Sequence, residues 1–415
     1  MTDRSTVSHL LRRLTFGPTA AEVDAAARAG VPATLDKVLA PAGRATPPEV
    51  GAFRPGKEGR DDARRQATAA LEWWVGRMIT EAGAAEKLTF FWHGHWATSV
   101  RKVRSAALML DQQATLRRYG AGGTGPLVRA MLRDPALIIW LDGQRNTRRA
   151  PNENLARELM ELFTLGVGAG YTEADVKAGA RVLTGWRAER TGGPATLVAR
   201  RHDPSPVTLL GRTGTFDTDA YADLLVAHPA HLPFLAGRLW ARYGADTAPD
   251  AATTARLVAR GASTVAMLRA LVSDPSFVDT RGRLVKQPVE WMVGAVRQLG
   301  VDPKRGRARI LGGLRALGQV PFRPPSVGGW PAGTAWLTTS STRDRLASGR
   351  ALAALAPEAV DGLAGAARTD RLDALARLLV VDGWTARTRA VLAGAADDPR
   401  LLLTLGLASP EYAVH

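Results

Sequence analysis

The chain has 415 residues, of which 46% are hydrophobic, and its 55 basic and 39 acidic residues give a formal net charge of +16. This length and composition suit a globular protein with a sizeable core, and no run approaches the ~20 apolar residues of a membrane span. The absence of cysteine excludes disulfides and thiol nucleophiles, which fits a cytoplasmic protein without requiring one.

The basic excess is a weak sign of nucleic-acid binding. Arginine is scattered along the predicted helices, and the longest basic clusters, at 101–104 and 145–149, lack the interleaved aromatic residues of a base-stacking surface. We therefore do not expect nucleic acid as a partner of this basic protein. The polar residues 1–19 contain no apolar stretch typical of a secretory signal, so the expected location is cytoplasmic.

The apolar periodicity predicts a mainly α protein, a large multi-helix globular domain. Thr19 and Glu22 form a predicted capping box at the start of one helix, which Gly30 ends, and Thr172 with Asp175 forms another. Further helices are predicted over 61–82, 86–92, 105–119, 152–165, 217–228, 231–243, 250–259, 262–273 and 286–299.

Two long irregular segments interrupt the helical pattern. Residues 184–216 contain β-prone stretches and predict a hairpin or a long structured loop. Residues 318–337, rich in Pro and Gly with Trp330 and Trp336, are expected to form a pocket wall or lid. We expect a helical core over 1–341 that carries the site. An Ala/Leu-rich helical segment over 342–415 packs on it as part of one structural unit.

Several sequence blocks form a recognisable set. They are HLLRRLTFGPT (9–19), EKLTFFWHGHWATS (86–99), PNENLARELMELFTLGVGAGYTEADV (151–176), ARVLTGW (180–186) and LGQVPFRPPSVGGWPAGTAWL (317–337). Through these blocks the chain resembles, over nearly its whole length, the bacterial domain-of-unknown-function 1800 family. The resemblance implies a mostly helical fold and implies no particular activity.

Histidines are the first candidate metal ligands. On an extended segment, His93 and His95 would direct both imidazoles to one side, where one divalent ion could take both. On a continuous helix the two rings would diverge by about 200°, and Gly94 is expected to permit the irregular conformation. His202 is a third candidate, next to Asp203 in a loop. The alternative is that these histidines are buried or capping groups and that Asp203 caps a turn.

The acidic helix supplies candidate catalytic carboxylates. Glu153 and Glu158 are expected to line a site together with Asp203. Because Glu153, Arg157 and Glu161 recur at intervals of four, the alternative is a helix with internal ion pairs. The side chains expected to surround and orient the carboxylates are Asn152, Asn154, Arg157 and Trp186. Lys286 and Glu290, also four apart, are interpreted as a surface pair.

These groups suggest a metal-assisted, hydrolase-like enzyme with a central pocket lined by His, Glu and Asp. A divalent metal ion, of an identity the sequence does not indicate, would activate water, and a carboxylate would move the proton. Two alternatives stay open. One is a metal-free, glycosidase-like enzyme with two carboxylates, and the other is a non-catalytic ligand-binding or scaffold protein whose polar motifs hold irregular loops.

Overall fold

The computed structural model describes residues 3–41, 43, 45–54 and 56–415, and helices dominate it. The α-helices are α1 (Arg4–Leu14), α2 (Ala20–Ala29), α3 (Val31–Val38), α4 (Gly56–Thr80), α5 (Ala85–His95), α6 (Val100–Val103), α7 (Ala106–Tyr119), α8 (Thr124–Leu132), α9 (Pro135–Trp140), α10 (Asn154–Glu158), α11 (Glu173–Val182), α12 (Thr218–Val226), α13 (His231–Tyr243), α14 (Ala251–Val258), α15 (Thr264–Val272), α16 (Pro288–Gln298), α17 (Pro303–Ala316), α18 (Thr339–Ala353), α19 (Pro357–Gly365), α20 (Arg371–Leu378), α21 (Ala386–Gly394), α22 (Pro399–Ala408) and α23 (Pro410–Ala413). Short 3-10 turns cover Gly143–Arg145, Ala199–Arg201, Pro275–Thr280 and Gly333–Trp336, and Leu159–Thr164 is π-helical.

Local capping explains where several helices begin. At α2 the Glu22 N–H donates to Thr19 Oγ1 at 3.2 Å, and the Thr19 N–H donates to Glu22 Oε2 at 2.8 Å. Thr172 and Asp175 make the same reciprocal pair at α11. Both predicted capping boxes are confirmed, because each depends only on residues three apart in the chain.

Two small antiparallel hairpins lie within 184–216. Strand β1 (Trp186–Arg187) pairs with β2 (Thr196–Leu197), and β3 (Val207–Leu209) pairs with β4 (Arg212–Gly214). The second hairpin closes through Leu210 and Gly211, which both have positive φ, as a two-residue turn requires. The mainly α fold with a hairpin-containing segment is therefore confirmed.

The helix that carries His93 and His95 differs from the expectation. The predicted helix 86–92 extends to His95 as α5, so the two imidazoles lie on a regular helix and point in divergent directions. The extended conformation expected about Gly94 is wrong. The close packing at this point depends on Gly329 instead, because a Cβ on Gly329 would lie 2.5 Å from the Gly94 carbonyl oxygen.

The apolar side chains form two large clusters, and α5 contributes to both. Phe91 and Trp92 belong to the cluster made with α1 and α8 to α15, whereas Phe90 belongs to the cluster made with α4, α7 and α16 to α22. Helix α5 thus lies between the two halves of the core.

The C-terminal helices pack on α16 and α17. Trp291 Nε1 donates to the Leu407 carbonyl at 3.0 Å, and Tyr412 Oη donates to Gln298 at 2.8 Å. The division expected at residue 342 falls within α18, and the single structural unit stays a prediction. Among the described residues, no helix combines the length and apolarity that a membrane crossing requires.

Candidate anion-binding cleft

The acidic helix forms an ion-pair network at the surface. Arg157 lies 2.9 Å from Glu153, 2.6 Å from Glu173 and 3.6 Å from Glu161, and all four side chains are partly exposed. The hydrogen bond to Glu173 raises the pKa of Arg157 and lowers that of Glu173. Solvent screens exposed pairs of this kind, so they add little to the stability of the fold.

Glu158 occupies a different face of this helix from Arg157. Its carboxyl is half-buried, and burial followed by repulsion from Glu161 raises its pKa. The pKa of the neighbouring Tyr171 is raised by burial and by Glu161 as well. The environment of Glu158 therefore favours the protonated form more than water does.

The two candidate asparagines shape the turn before α10. Asn152 Oδ1 accepts the Asn154 N–H at 3.0 Å, and Asn154 Nδ2 donates to the Leu141 carbonyl at 3.2 Å. Asn146, which the sequence analysis overlooked, is buried and connects this turn to the next block. Its Oδ1 accepts the Asn152 N–H, its Nδ2 donates to the Ala180 carbonyl, and its carbonyl accepts the N–H of residue 185.

His202 and Asp203 attach the loop 199–205 to the end of α11. His202 Nδ1 lies 3.0 Å from the Thr184 carbonyl, and Asp203 Oδ2 accepts from Arg181 Nε at 2.8 Å. That hydrogen bond holds the pKa of Asp203 well below its usual range. Trp186 is buried nearby and donates through Nε1 to Thr218 at 3.1 Å.

Two histidines satisfy the carbonyl groups at the end of the π-helical segment. His95 Nε2 lies 2.9 Å from the Phe163 carbonyl, and His231 Nδ1 lies 3.0 Å from the Thr164 carbonyl. Both nitrogens act as donors, since a carbonyl can only accept. His95 of α5 thus contacts the acidic segment through the backbone carbonyl of Phe163 and not through a carboxylate. Burial lowers the pKa of His95 to about 3, with a further contribution from Arg238.

His93 holds a turn of the 318–337 segment. Its Nε2 accepts the N–H of Phe322 at 3.0 Å, so the neutral ring carries its proton on Nδ1. Phe322 has a φ of 65°, a left-handed conformation that costs a residue with a side chain about 1 kcal/mol or more. Burial lowers the pKa of His93 to about 3.

The predicted site residues are therefore only partly brought together. Within the described ranges, no three His, Asp or Glu side chains gather closely enough to hold a metal ion. A role in catalysis for the three histidines and three carboxylates stays a prediction, as does the divalent ion.

A small cleft lies where α5, α13 and the start of α16 meet the segment 328–332. Its volume is about 110 Å³. Phe90, Phe91 and the Trp330 indole supply aromatic walls, and Arg238 and Arg242 supply positive charge. None of the described residues that line the cleft is acidic. The expectation that the 318–337 segment contributes a pocket wall is confirmed for Trp330.

Behind the cleft, the Glu290 carboxylate is the centre of a buried ion cluster. It lies 2.6 Å from Lys87 Nζ, 2.9 Å from Arg242 Nη1 and 3.3 Å from His415 Nε2, and each of these side chains is at most 9% exposed. Burial alone would raise the pKa of Glu290, but Arg242, Lys87 and His415 together hold it well below its usual value. Burial lowers the pKa of Lys87 to about 8.

The surface pair predicted from Lys286 and Glu290 is wrong, because both side chains are buried. Lys286 Nζ lies 3.7 Å from the ring centroid of Tyr412. Burial, and then repulsion from Arg12, lowers the pKa of Lys286 well below its usual value. In the described part of the chain, the buried cations around Glu290 outnumber the one carboxylate of this cluster.

Two of the described residues that line the cleft each have a buried donor without an acceptor. Arg242 Nη2 and Trp330 Nε1 are shielded from solvent, and neither donates a hydrogen bond to any described residue. An unsatisfied buried donor costs about 1–3 kcal/mol. Arg238, one helical turn before Arg242, keeps contact with solvent at the cleft mouth, while the protein around it lowers its pKa through desolvation.

Sequence reasoning missed Arg238 and Arg242. They share a helix face at an interval of four, where like charges repel. This spacing was the available signal that a negatively charged group, such as the Glu290 carboxylate, lies near the two arginines. The partner of Arg242 is 48 positions further along the chain (290 minus 242), so the pairing itself could not be read from local spacing.

The fold and this cleft define a mainly helical protein with a cationic, aromatic-walled pocket. The family model described as DUF1800, a protein of unknown function, matches residues 9–414, and the chain belongs to this family. Comparison with curated proteins gave no match, and comparison with solved structures gave none either.

Proposed function

We propose that the protein binds a small organic anion in the cleft, through Arg238, Arg242 and the indole N–H of Trp330. The observation that carries the proposal is that two lining residues each have a buried donor with no acceptor among the described residues, in a cleft whose described lining residues include no acidic side chain. An acceptor bearing negative charge would satisfy both donors and offset the charge of the two arginines.

The buried ion cluster supports this role by fixing Arg242. Nη1 is engaged by Glu290, and the Arg242 guanidinium carbon lies 5.9 Å from the ring centroid of Phe90. A guanidinium held in this way loses little conformational freedom when a ligand arrives, so more of the interaction energy is retained as affinity.

The size and walls of the cleft indicate the class of ligand. A volume of about 110 Å³ suits one carboxylate, sulfate or phosphate group with a small apolar body. The aromatic walls favour an apolar body, and the planar guanidinium of arginine matches the two oxygens of such an anion.

Calorimetric titration with benzoate, sulfate and phosphate tests the proposal. Wild-type protein should bind at least one of these anions, and Arg238→Gln and Trp330→Phe should each weaken binding about tenfold, the effect of losing one charge-assisted hydrogen bond. Trp330→Phe keeps an aromatic side chain in the wall and removes the indole donor together with part of the ring volume.

Two matched substitutions serve as controls. Trp336→Phe alters the same segment at an indole that already donates to the Pro331 carbonyl at 2.8 Å. Arg309→Gln removes one exposed charge from α17. Binding weakened equally by the controls, or no binding by wild-type protein, would contradict the proposal.

Metal-assisted hydrolysis is a second candidate, and the raised pKa of Glu158 favours it. A half-buried carboxyl whose pKa is raised is better suited to general acid catalysis than a fully solvated one. Metal analysis of purified wild-type protein and of the His202→Ala variant tests whether His202 binds a metal ion. His202 is chosen because it is less buried than His93 or His95. A protein without bound metal, or unchanged metal content in the variant, would count against this candidate.

A further inference from the structure

A second positively charged region lies on another part of the molecule. Two adjoining cavities, of about 500 and 320 Å³, share Phe53, Arg101 and Arg104 in their linings. Arg190 lines the larger cavity, and Arg323 lines the smaller one. We call these joined cavities the basic groove.

Most of the described cations that line the basic groove form no ion pair with a described carboxylate. Among the described lining residues, Lys102 pairs with Asp142 at 2.7 Å, and Arg64 pairs with Asp61 at 3.4 Å. The remaining lining arginines form no ion pair with a described carboxylate. They are Arg60, Arg101, Arg104, Arg190 and Arg323.

Backbone groups hold the Arg190 side chain, and the backbone has an unusual conformation at or next to two other arginines of the groove. Arg190 Nε donates to the Val103 carbonyl at 3.0 Å. Arg104 itself has a φ of 61°, a conformation that residues with side chains rarely adopt. The residue before Arg323 is Phe322, which also has positive φ and is fixed by His93 Nε2 on one side and by the Val100 N–H on the other.

The like charges in the groove repel one another. Burial first, and then repulsion from Arg101, lowers the pKa of Arg323. Gathering unpaired arginines around a cavity and holding them through strained backbone is unfavourable in the free protein. A ligand with several negative charges would reverse the electrostatic part of this cost.

We infer that the basic groove binds a small ligand carrying two or more linked phosphate groups. Arginine pairs with phosphate through two parallel N–H bonds, and five unpaired arginines exceed what a single phosphate can contact. Phe53 is the one aromatic side chain among the described residues that line either cavity. A nucleic-acid strand would instead favour a track of several stacking aromatics, which the groove does not offer.

Calorimetric titration of the full chain with tripolyphosphate tests this inference, with inorganic orthophosphate and a thymidine oligonucleotide as separate arms. Tripolyphosphate should bind at least tenfold more tightly than orthophosphate. Arg101→Gln should weaken tripolyphosphate binding about tenfold, and Arg323→Gln should do so as well.

Arg309→Gln, the matched loss of one charge outside the groove, should leave tripolyphosphate affinity within twofold of wild type. Equal weakening by Arg309→Gln would overturn the inference, because the effect would then be one of net charge. The inference also fails if the oligonucleotide binds while tripolyphosphate neither binds nor competes, since the groove would then recognise a strand. Circular dichroism of each variant confirms that folding is retained.

Discussion

Arg242 and Glu290 form a buried ion pair at 2.9 Å, with Arg242 9% exposed and Glu290 fully enclosed. Lys87 contacts the same carboxylate at 2.6 Å. Glu290 also caps the start of α16 by accepting the Gln287 N–H at 2.8 Å. One carboxylate thus connects α5, α13 and α16, the three helices that shape the proposed anion-binding cleft.

Neutralising Glu290 should destabilise the fold strongly. Glu290→Gln leaves Lys87 and Arg242 buried without a counter-charge, and breaking a buried pair in this way costs about 3–5 kcal/mol. Urea denaturation at pH 7 measures the loss. Glu153→Gln is the control, since it removes a partly exposed pair worth at most about 1 kcal/mol. A loss from Glu290→Gln no larger than that of the control would contradict the assigned cluster.

Acid should destabilise the protein through its buried histidines. The folded-state pKa of His93 and of His95 is about 3, below the unfolded value of 6.5. Between these values the unfolded chain binds more protons than the native protein does. The stability that neutral His93 and His95 contribute is therefore complete above about pH 6.5 and is lost as the pH falls towards 3.

A variant isolates the contribution of His95. His95→Gln can keep a donor towards the Phe163 carbonyl but cannot titrate, so its unfolding free energy should fall less steeply between pH 6.5 and 4 than that of wild type. At pH 8 the His95 imidazole is neutral in the native and in the unfolded protein, so the difference between the two proteins at this pH gives the packing cost of the substitution. Identical slopes for the two proteins would show that His95 titrates normally.

Asp134 should have the opposite dependence on pH. Burial raises its pKa to about 7, above the unfolded value of 3.8, so the native protein binds more protons in that interval. The stability associated with this group is present below about pH 3.8 and is lost as the pH rises towards 7.

Asp134→Asn should therefore stabilise the protein at pH 8, by an amount on the order of a few kcal/mol. Oδ1 accepts both the Gln112 amide and the Leu137 N–H at 2.7 Å, and an asparagine oxygen can keep both bonds. Thermal unfolding at pH 8 and at pH 4 measures the change. Destabilisation at pH 8 would mean that the ionised carboxylate is favoured in the fold.

The close approach of Gly329 to the Gly94 carbonyl should tolerate no side chain on Gly329. Gly329 has a φ of 85°, and a Cβ there would lie 2.5 Å from the Gly94 carbonyl oxygen. Gly329→Ala should cost about 1–3 kcal/mol through strain and displacement of the cleft wall. Gly328→Ala is the control, since its Cβ would meet only the Ser326 hydroxyl at 3.7 Å. Equal stability of the two variants would contradict the close approach.

Local signals predicted the fold well because helices are specified by nearby residues. The capping boxes at Thr19 and Thr172 depend on side chains three positions away and were predicted correctly. The conformation at His93–His95 was not, because Gly94 was interpreted as a break in the helix. Gly94 instead continues the helix, and its carbonyl oxygen is approached closely by Gly329, more than 200 positions further along the chain.

The cleft was harder to predict than the fold, because its charges are paired across the sequence. Lys286 and Glu290 have the spacing of a surface pair, and only the three-dimensional packing shows that Glu290 faces Lys87 and Arg242 instead. The part that could be predicted was the wall formed by Trp330, since a long segment rich in Pro, Gly and Trp rarely lacks a functional or packing role.

A crystal structure of the protein soaked in selenate tests the anion-binding cleft most directly, because selenium locates the anion by anomalous scattering. The expected result is a selenium peak whose oxygens lie within 3.2 Å of Arg242 Nη2 or Trp330 Nε1. An unoccupied cleft at saturating selenate, with both donors bonded to protein carbonyls, would contradict the proposed binding.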